Sequence, residues 1–257
     1  MIDIIIPVFN NALTLDEALE SIVRQSIISK ATIYIVDDAS QDSSYEIAEK
    51  WSMRFGNIVA TRNSSNIGVM ANYRRLLSFC RGTYVAPLEG DDVWISNTRL
   101  EKLTEYLSIV GRPACFSGFL VENLVTGTQH ENVAMSSLRF RRFSVFEMFD
   151  GNPPSSFSNC LYRRDVLSAV FEEINGAVGY DWLVNILIAV RNDGLDFYPE
   201  VLSAYRVSSK GAWSSLAEEQ KAELIVDTLR SLLERLPRRY ASTINRLVAS
   251  AKRRCHA

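Results

Sequence analysis

The chain has 257 residues, of which 47% are hydrophobic and 23% charged, a balance typical of a globular protein with a large buried core. Its 28 Lys and Arg against 30 Asp and Glu give a net charge of −2, which argues against nucleic-acid binding through bulk charge. The four cysteines lie far apart and form no CxxC pair, so neither a zinc ribbon nor a disulfide framework is predicted.

The first ninety residues alternate short β-branched runs with amphipathic stretches. The runs lack strict apolar and polar alternation, which is typical of strands buried on both faces of a parallel sheet. Thr14 is the predicted N-cap of the first helix. The pattern predicts an α/β fold with a doubly wound, mostly parallel sheet and helices on both faces. Its predicted strands are 3–9, 32–37, 57–62 and 83–88, and its later helices are 43–55 and 72–80.

Polar residues follow each of these strands at the point where the strand ends. Sheets of this kind bind ligands at the carboxyl ends of their strands. We therefore expect one site built from the four loops after the strands, near residues 10–11, 37–38, 62–66 and 89–92.

The loop after the fourth predicted strand carries three carboxylates in the stretch LEGDDVW. Adjacent carboxylates repel one another, so a cation is one explanation and a solvated turn is another. At a strand end, Glu89, Asp91 and Asp92 could hold Mg²⁺ or Mn²⁺ while water and a substrate phosphate complete the coordination shell.

Asp37 and Asp38 close the second predicted strand. They can cap the next helix or accept hydrogen bonds from a nucleotide base or ribose, and both interpretations can hold together. Neither G-x-G-x-x-G nor G-x-x-x-x-G-K-[ST] occurs, so dinucleotide dehydrogenases and P-loop enzymes lose their main support. With only His130 and His256 present, a histidine-based zinc site or Ser-His-Asp triad is also disfavoured.

The second half is less regular. The stretch 131–158 mixes arginines and phenylalanines and is predicted to be a long excursion over the active face. A helix is predicted to open at Tyr180 and Asp181, and two further helices meet at Pro237. We expect a main domain at 1–215 and a C-terminal helical extension at 216–257. The other predicted elements are a helix at 99–110 and strands at 114–122, 159–163 and 196–198.

Six short motifs, in this order and spacing, give the chain a resemblance to the inverting glycosyltransferases of family two, which have the GT-A fold. The resemblance covers roughly residues 2–215. The motifs are IIIPVFNN, VDDAS, NIGVMAN, LEGDDVW, YDW and YRVSSKGAWS.

The resemblance implies a role for each matching residue. Asp181 in YDW matches the general base, although a helix N-cap is the alternative interpretation. Asp91 and Asp92 match the divalent metal ligands. Glu89 is one methylene longer than the usual aspartate, and Ser208 stands where a histidine is common. Nucleotide-sugar binding is implied for Pro7, Phe9, Asn10, Asp37, Asp38, Asn66, Gly68, Asn72, Glu89, Gly90, Arg206 and Trp213.

The resemblance thus implies a metal-dependent (Mn or Mg) enzyme. It would transfer a sugar, with inversion, from a nucleotide-diphospho-sugar donor to a glycan or lipid-linked acceptor in cell-surface polysaccharide biosynthesis. One alternative is a non-catalytic nucleotide-sugar-binding module. Another is a nucleotidyltransferase, which normally needs a glycine-rich, basic first loop that the stretch PVFNNALTLDEA lacks.

The C-terminal predicted helix is strongly basic. No acid follows Glu234, whereas seven Lys and Arg do, which suits either an anionic membrane surface or a solvated helix face. The N-terminal apolar run is too short for a signal peptide, and no stretch approaches a membrane span. We expect a cytoplasmic protein that can lie against the inner face of the membrane.

Overall fold

The computed structural model describes residues 1–132, 139–174, 181–209, 211 and 213–254. The first part of the chain alternates strands and helices as the sequence predicts. Its elements are β1 Ile2–Val8, α1 Leu15–Val23, β2 Ala31–Asp37, α2 Ser44–Arg54, β3 Ile58–Arg62, α3 Val69–Phe79 and β4 Tyr84–Pro87.

The rest of the described chain adds six strands and six helices. They are β5 Val93–Trp94, α4 Arg99–Val110, β6 Ala114–Asn123, β7 Thr128–Glu131, β8 Arg141–Phe143, α5 Val145–Asp150, β9 Cys160–Arg163, α6 Arg164–Glu173, α7 Asp181–Asn192, β10 Leu195–Val207, α8 Glu218–Arg235 and α9 Ala241–Arg254.

The strands form a single sheet in the order β3-β2-β1-β4-β9-β6-β10-β5, with β7 beside β6 and β8 beside β10. The strands β3, β2, β1 and β4 are parallel, and β10 is parallel to β6. The strand β9 is antiparallel to both β4 and β6 and joins the two parallel groups. The predicted doubly wound architecture is confirmed, with antiparallel strands in its second half.

Both faces of the sheet are covered, which explains the unbroken apolar run of β1. Ile4 and Ile6 point into one core with α1 and α4, whereas Ile5 points into the other with α3, α6 and α7. All three isoleucines are fully buried. Alternate side chains of a strand face opposite sides, so a strand between two helical layers must be apolar throughout.

The excursion predicted at 131–158 contains regular structure. The strand β8 pairs with β10, and α5 begins at a capping box in which Ser144 and Glu147 bond each other's backbone N–H. Residues 133–138 of this prediction lie outside the described residues. The predicted strand 196–198 is the start of the longer β10. The length of β10 was not predicted because register shifts around Pro199 and Glu200 interrupt the periodicity of its side chains.

The C-terminal helices share the core of the sheet. Leu229, Leu232, Tyr240 and Ile244 are buried in the same cluster as α5 and α7. The Tyr240 ring lies 5.7 Å from the ring of Phe149. In the part of the chain that the structure describes, no helix combines the length and apolarity needed to span a membrane.

Candidate active site

The loop after β1 is tied to the loop after β2. Asn10 has a φ of 56°, and its N–H donates to Ser40 Oγ at 2.9 Å. Its Oδ1 accepts from the Gln41 N–H at 2.8 Å. These bonds hold Asn10 at the carboxyl edge of the sheet, where an Asn tolerates the left-handed backbone well. Pro7 is buried in β1, and Phe9 is exposed at the loop surface.

Asp37 ends β2 fully buried. One of its oxygens accepts from the Ser40 N–H at 3.0 Å and pairs with Arg62 Nε at 3.1 Å. The other oxygen, Oδ2, is buried and has no hydrogen-bond partner among the described residues. A buried acceptor without a donor is costly, so a ligand N–H or hydroxyl would stabilise this arrangement.

Asp38 organises the segment that precedes α3. Its carboxylate accepts from Asn63 Nδ2 at 2.6 Å and from the N–H groups of Ile67 and Gly68, each at 2.9 Å. Gly68 has a φ of 84°, a left-handed conformation that only glycine adopts without strain. Asp38 therefore shapes the loop through its protein contacts, whatever it contributes to a ligand.

Two asparagines complete this segment. Asn72 is buried, donates to the Val36 carbonyl at 2.9 Å and accepts from Asn63 Nδ2 at 3.2 Å. Asn66 is exposed, and its Oδ1 accepts from the Gly68 N–H at 3.0 Å. Asn72 thus fixes α3 to β2, and Asn66 is the one of the pair with a side chain open to solvent.

The acidic loop after β4 packs closely on the loop after β1. A Cβ at residue 90 would lie 2.8 Å from Asn11 Oδ1, so Gly90 permits this approach. The Thr14 hydroxyl donates to the Gly90 carbonyl at 2.8 Å. Thr14 is the N-cap residue of α1, but its side chain makes no capping hydrogen bond and bonds the acidic loop instead.

Glu89 and Asp92 share one serine hydroxyl. Ser156 Oγ lies 3.0 Å from Glu89 Oε2 and 3.0 Å from Asp92 Oδ2, and it accepts from the Ser158 N–H at 3.0 Å. A hydroxyl has one proton, so it can donate to only one carboxylate at a time. The other bond needs a proton on the second carboxyl group.

The pKa values of the acidic group agree with a shared proton. Burial, and then the charges of Asp92 and Asp91, raise the pKa of Glu89 well above its usual range. Burial, and then the charge of Asp91, raise the pKa of Asp92 to about 7. Burial also raises the pKa of Asp91. Carboxylates this close favour a cation or a proton between them.

The carboxylates differ in their fit to a metal ion. Both oxygens of the buried Asp92 are engaged, Oδ2 with Ser156 and Oδ1 with the Arg206 N–H at 2.8 Å. Asp91 is half-buried, and within the described residues no other side chain bonds its carboxylate. Nor does that part of the chain bring together three or more His, Cys, Asp or Glu side chains in a group that could hold a metal ion. The Asp91 carboxylate is thus more open to a ligand than that of Asp92.

The residues of the predicted C-terminal loop lie at the end of β10. Arg206 is buried, and its guanidinium pairs with Glu17 at 2.7 Å and with Glu122 at 2.8 Å. It is thus held by protein carboxylates beside the acidic loop. Trp213 is 42% exposed. Lys210 and Ala212 of this motif lie outside the described residues.

Asp181 is the first residue of α7. Its Oδ2 accepts from Asn152 Nδ2 at 2.6 Å, and its Oδ1 accepts from the Trp182 N–H at 2.9 Å. Burial raises its pKa to about 6 although both hydrogen bonds lower it. Asp181 is therefore the first helical residue rather than the N-cap of the alternative interpretation, and it is a perturbed carboxylate of the kind found at functional sites.

Several residues of this site were not singled out from the sequence. Ser156 and Ser158 bond Glu89 and Asp92, and Asn152 bonds Asp181. All three follow α5 in the stretch GNPPSSFSN. The dense run of small polar residues around two prolines was a signal that buried polar contacts exist here, but it does not say which residues they meet.

The match to a family of known proteins decides the classification. The model of glycosyl transferase family 2 matches residues 3–171. The chain belongs to this family. The matched part contains both loops of the predicted nucleotide site and the acidic loop, whereas Asp181, Arg206 and Trp213 lie beyond it.

Named relatives of this family 2 chain include a galactosyltransferase and a teichoic acid biosynthesis protein. It is 36% identical to a cholesterol galactosyltransferase of Borreliella burgdorferi over 91% of this chain and 68% of that protein. It is 26% identical to the minor teichoic acid biosynthesis protein GgaB of Bacillus subtilis, over 85% of this chain and 24% of that protein. Against uncharacterized Mycobacterium proteins it is 26% identical and spans 60% of their length.

The fold of the family 2 chain is shared with solved glycosyltransferase structures. S. aureus TarS in complex with UDP-GlcNAc superposes with a TM-score of 0.72 at 15% identity, covering 98% of this chain and 72% of TarS. The mannosyltransferase PcManGT of Pyrobaculum calidifontis, in complex with GDP-Man and Mn²⁺, gives 0.67 at 15% identity, covering 98% of this chain and 73% of that one. These similarities show a common GT-A fold.

Proposed function

We propose that the chain is a metal-dependent, inverting glycosyltransferase with Asp181 as its general base. The observation that carries the proposal is the Asp181 carboxylate, which is half-buried at the start of α7, accepts a hydrogen bond from Asn152 and has a pKa of about 6. Such a group is ionised at neutral pH yet basic enough to take a proton from a hydroxyl. The donor would be a nucleotide-diphospho-sugar, and the acceptor a glycan or a lipid-linked sugar.

In the proposed reaction, the acceptor hydroxyl oxygen attacks the anomeric carbon of the donor sugar. The bond from that carbon to the diphosphate oxygen breaks, and its electrons leave with the nucleoside diphosphate. The hydroxyl proton passes to Asp181. Because attack and departure occur on opposite faces of the sugar, the anomeric configuration inverts.

The diphosphate needs charge stabilisation as it leaves. A divalent Mn or Mg ion bound there supplies this stabilisation when present. Asp91 is the ligand that its half-buried carboxylate best supports, because such ions are often held by one or two carboxylates together with substrate phosphates and water. Asp92 as a second ligand, and Arg206 and Trp213 as contacts to the diphosphate, stay predictions.

The nucleotide is proposed to bind across the loops after β1 and β2. The unpartnered oxygen of Asp37 would accept from the base or ribose, beside Pro7, Phe9 and Asn10. The residues Asp38, Asn66, Gly68 and Asn72 would cover the nucleotide, with Asp38 shaping that segment. Glu89 and Gly90 would border the ribose and diphosphate.

A donor screen tests the proposal. The purified chain is incubated with UDP-, GDP- and dTDP-sugars, Mn²⁺ or Mg²⁺, and a lipid and glycan extract as acceptor source, and released nucleoside diphosphate is measured. We expect release with at least one donor and its loss with EDTA. Stabilisation of the fold by a donor without turnover under any condition would instead indicate a binding module.

A membrane surface is the proposed location of the acceptor. The cholesterol and teichoic acid relatives support a lipid or cell-surface acceptor. The exposed positions of α9 include Arg246, Lys252 and Arg253, and the turn before it exposes Arg238 and Arg239. Because no acid follows Glu234, this face would complement anionic lipid headgroups.

Vesicle binding measures this contact. The chain should co-sediment with phosphatidylglycerol vesicles at low salt, and Arg246→Glu combined with Lys252→Glu should reduce the bound fraction severalfold. Arg54→Glu with Arg24→Glu, a pair at the ends of α2 and α1, serves as the control. Equal binding by both double variants, or no binding by the unmodified chain, would contradict a lipid-facing α9.

A further inference from the structure

A row of hydrogen-bonded side chains leads from the protein interior to Asp181. The Tyr162 hydroxyl on β9 donates to Asn185 Oδ1 on α7 at 2.7 Å. Asn185 Nδ2 donates to Asn152 Oδ1 at 3.3 Å, and Asn152 Nδ2 donates to Asp181 Oδ2 at 2.6 Å. The row thus joins a core strand, the middle of α7 and the segment after α5 to one carboxylate oxygen.

The donor and the acceptor of every hydrogen bond in this row follow from the groups at the two ends of the row. An ionised carboxylate only accepts, so Asn152 must present its NH₂ group to Asp181 and its oxygen to Asn185. Asn185 must then present its own NH₂ group to Asn152, which leaves its oxygen for the Tyr162 hydroxyl. All donors therefore point toward Asp181, an arrangement that favours its ionised form.

The inner members of the row cannot touch a substrate. Tyr162 and Asn185 are both fully buried, and the neighbours of Asn185 on α7, Val184 and Ile186, belong to the hydrophobic core. An amide in such a position is costly unless it is hydrogen-bonded. An apolar residue would fill the same core space, so the amide at position 185 points to a role in holding Asn152.

We propose that Asn152 is the positioning residue of the general base and that Asn185 and Tyr162 fix the orientation of its amide. This inference rests on the proposed function, because it requires Asp181 to be the base. The row would hold one carboxylate oxygen and leave the carboxylate turned toward the acceptor hydroxyl.

Other ionisable groups face Asp181 from the elements packed around it. They are Tyr73 on α3, Glu89 after β4, Cys160 and Tyr162 on β9, and Tyr205 on β10. Burial raises the pKa of each of them, which favours their neutral forms. Asn152 is the largest cause that lowers the pKa of Asp181, so its removal should raise that pKa.

Steady-state kinetics of three variants test the row, with the donor found in the screen. Asn152→Ala should lower kcat about 10- to 100-fold, which is less than the effect of removing the general base itself, and should leave the donor KM unchanged. The acidic limb of the kcat–pH profile of Asn152→Ala should move to higher pH. Tyr162→Phe, which removes one oxygen and conserves volume, should lower kcat by a smaller factor in the same direction. Asn192→Ala, at the other end of α7, is the control and should resemble the unmodified chain.

The outcomes separate this inference from the proposed function. If Asn152→Ala and Tyr162→Phe keep the kcat and pH profile of the unmodified chain while Asp181→Asn is inactive, the positioning role is overturned and the base remains. If Asp181→Asn keeps full turnover, the proposed function itself fails. If Asn152→Ala fails to fold, Tyr162→Phe alone decides. An unchanged kcat and an unchanged acidic limb of the pH profile in that variant would contradict the positioning role.

Discussion

At the scale of single residues, burial decides what the carboxylates can do. Asp181, Asp92 and Glu89 all have raised pKa values, and in each case burial is the largest cause. Their partners differ, because Asp92 and Glu89 compete for the single proton of Ser156 whereas Asp181 receives two separate donors. A carboxyl group is therefore suited to sharing a proton at Glu89 and Asp92, and to acting as a base at Asp181.

The pKa of Asp181 predicts the pH dependence of catalysis. A base must be deprotonated, so kcat/KM should rise with pH through a midpoint near 6 and level off above it. Turnover at subsaturating substrate, measured between pH 5 and 8, checks this. A kcat/KM that is constant from pH 5 to 7 would show that Asp181 does not act as the titrating base.

At the scale of elements, the segment before α3 depends on one buried carboxylate. Asp38→Ala would leave the Ile67 N–H without an acceptor, and the Gly68 N–H and the Asn63 amide would each lose one of two acceptors. We expect a loss of about 1 to 3 kcal/mol in the free energy of unfolding, mainly from the orphaned Ile67 donor. Urea unfolding measures it, with the exposed Asp227→Ala as control. A change below about 0.5 kcal/mol, the usual range for a surface substitution, would contradict this role.

The elements of the parallel half could be predicted because their periodicity is local. An unbroken apolar run such as β1 between amphipathic stretches leaves few alternatives to a doubly wound sheet. The acidic loop and Asp181 were singled out through motif order, and their roles stay predictions. The partners Ser156 and Asn152 could not be predicted. They reach the site through the pairing of β9 between β4 and β6, which joins distant parts of the chain. The length of β10 was hidden by its register shifts.

At the scale of the whole molecule, the site lies where separate parts of the chain converge. The acidic loop contacts α1 through Thr14, the segment after α5 through Ser156, and β10 through Arg206. Arg206 in turn pairs with α1 and β6 through Glu17 and Glu122. Charge at this centre should therefore affect the stability of the entire fold.

The sign of that effect follows from the raised pKa values. The folded state binds protons more tightly than the unfolded chain, so this stabilisation is full below about pH 4 and is lost as the pH rises through about 6 for Asp181 and about 7 for Asp92. A bound cation should replace the lost protons. Mn²⁺ with UDP or GDP should thus raise Tm more at pH 8 than at pH 5.5, and Asp91→Asn should diminish the difference. Equal shifts at both pH values would contradict a cation at the acidic loop.

The most direct test of the central claim compares Asp181→Asn with the unmodified chain, using the donor identified in the screen. Nucleoside diphosphate release and donor affinity are measured together, and Asp193→Asn, an exposed aspartate just after α7, is the control. We predict that Asp181→Asn lowers turnover by about 100-fold or more while the donor Kd stays within about twofold. Turnover equal to that of the unmodified chain would contradict the assignment of Asp181 as the general base.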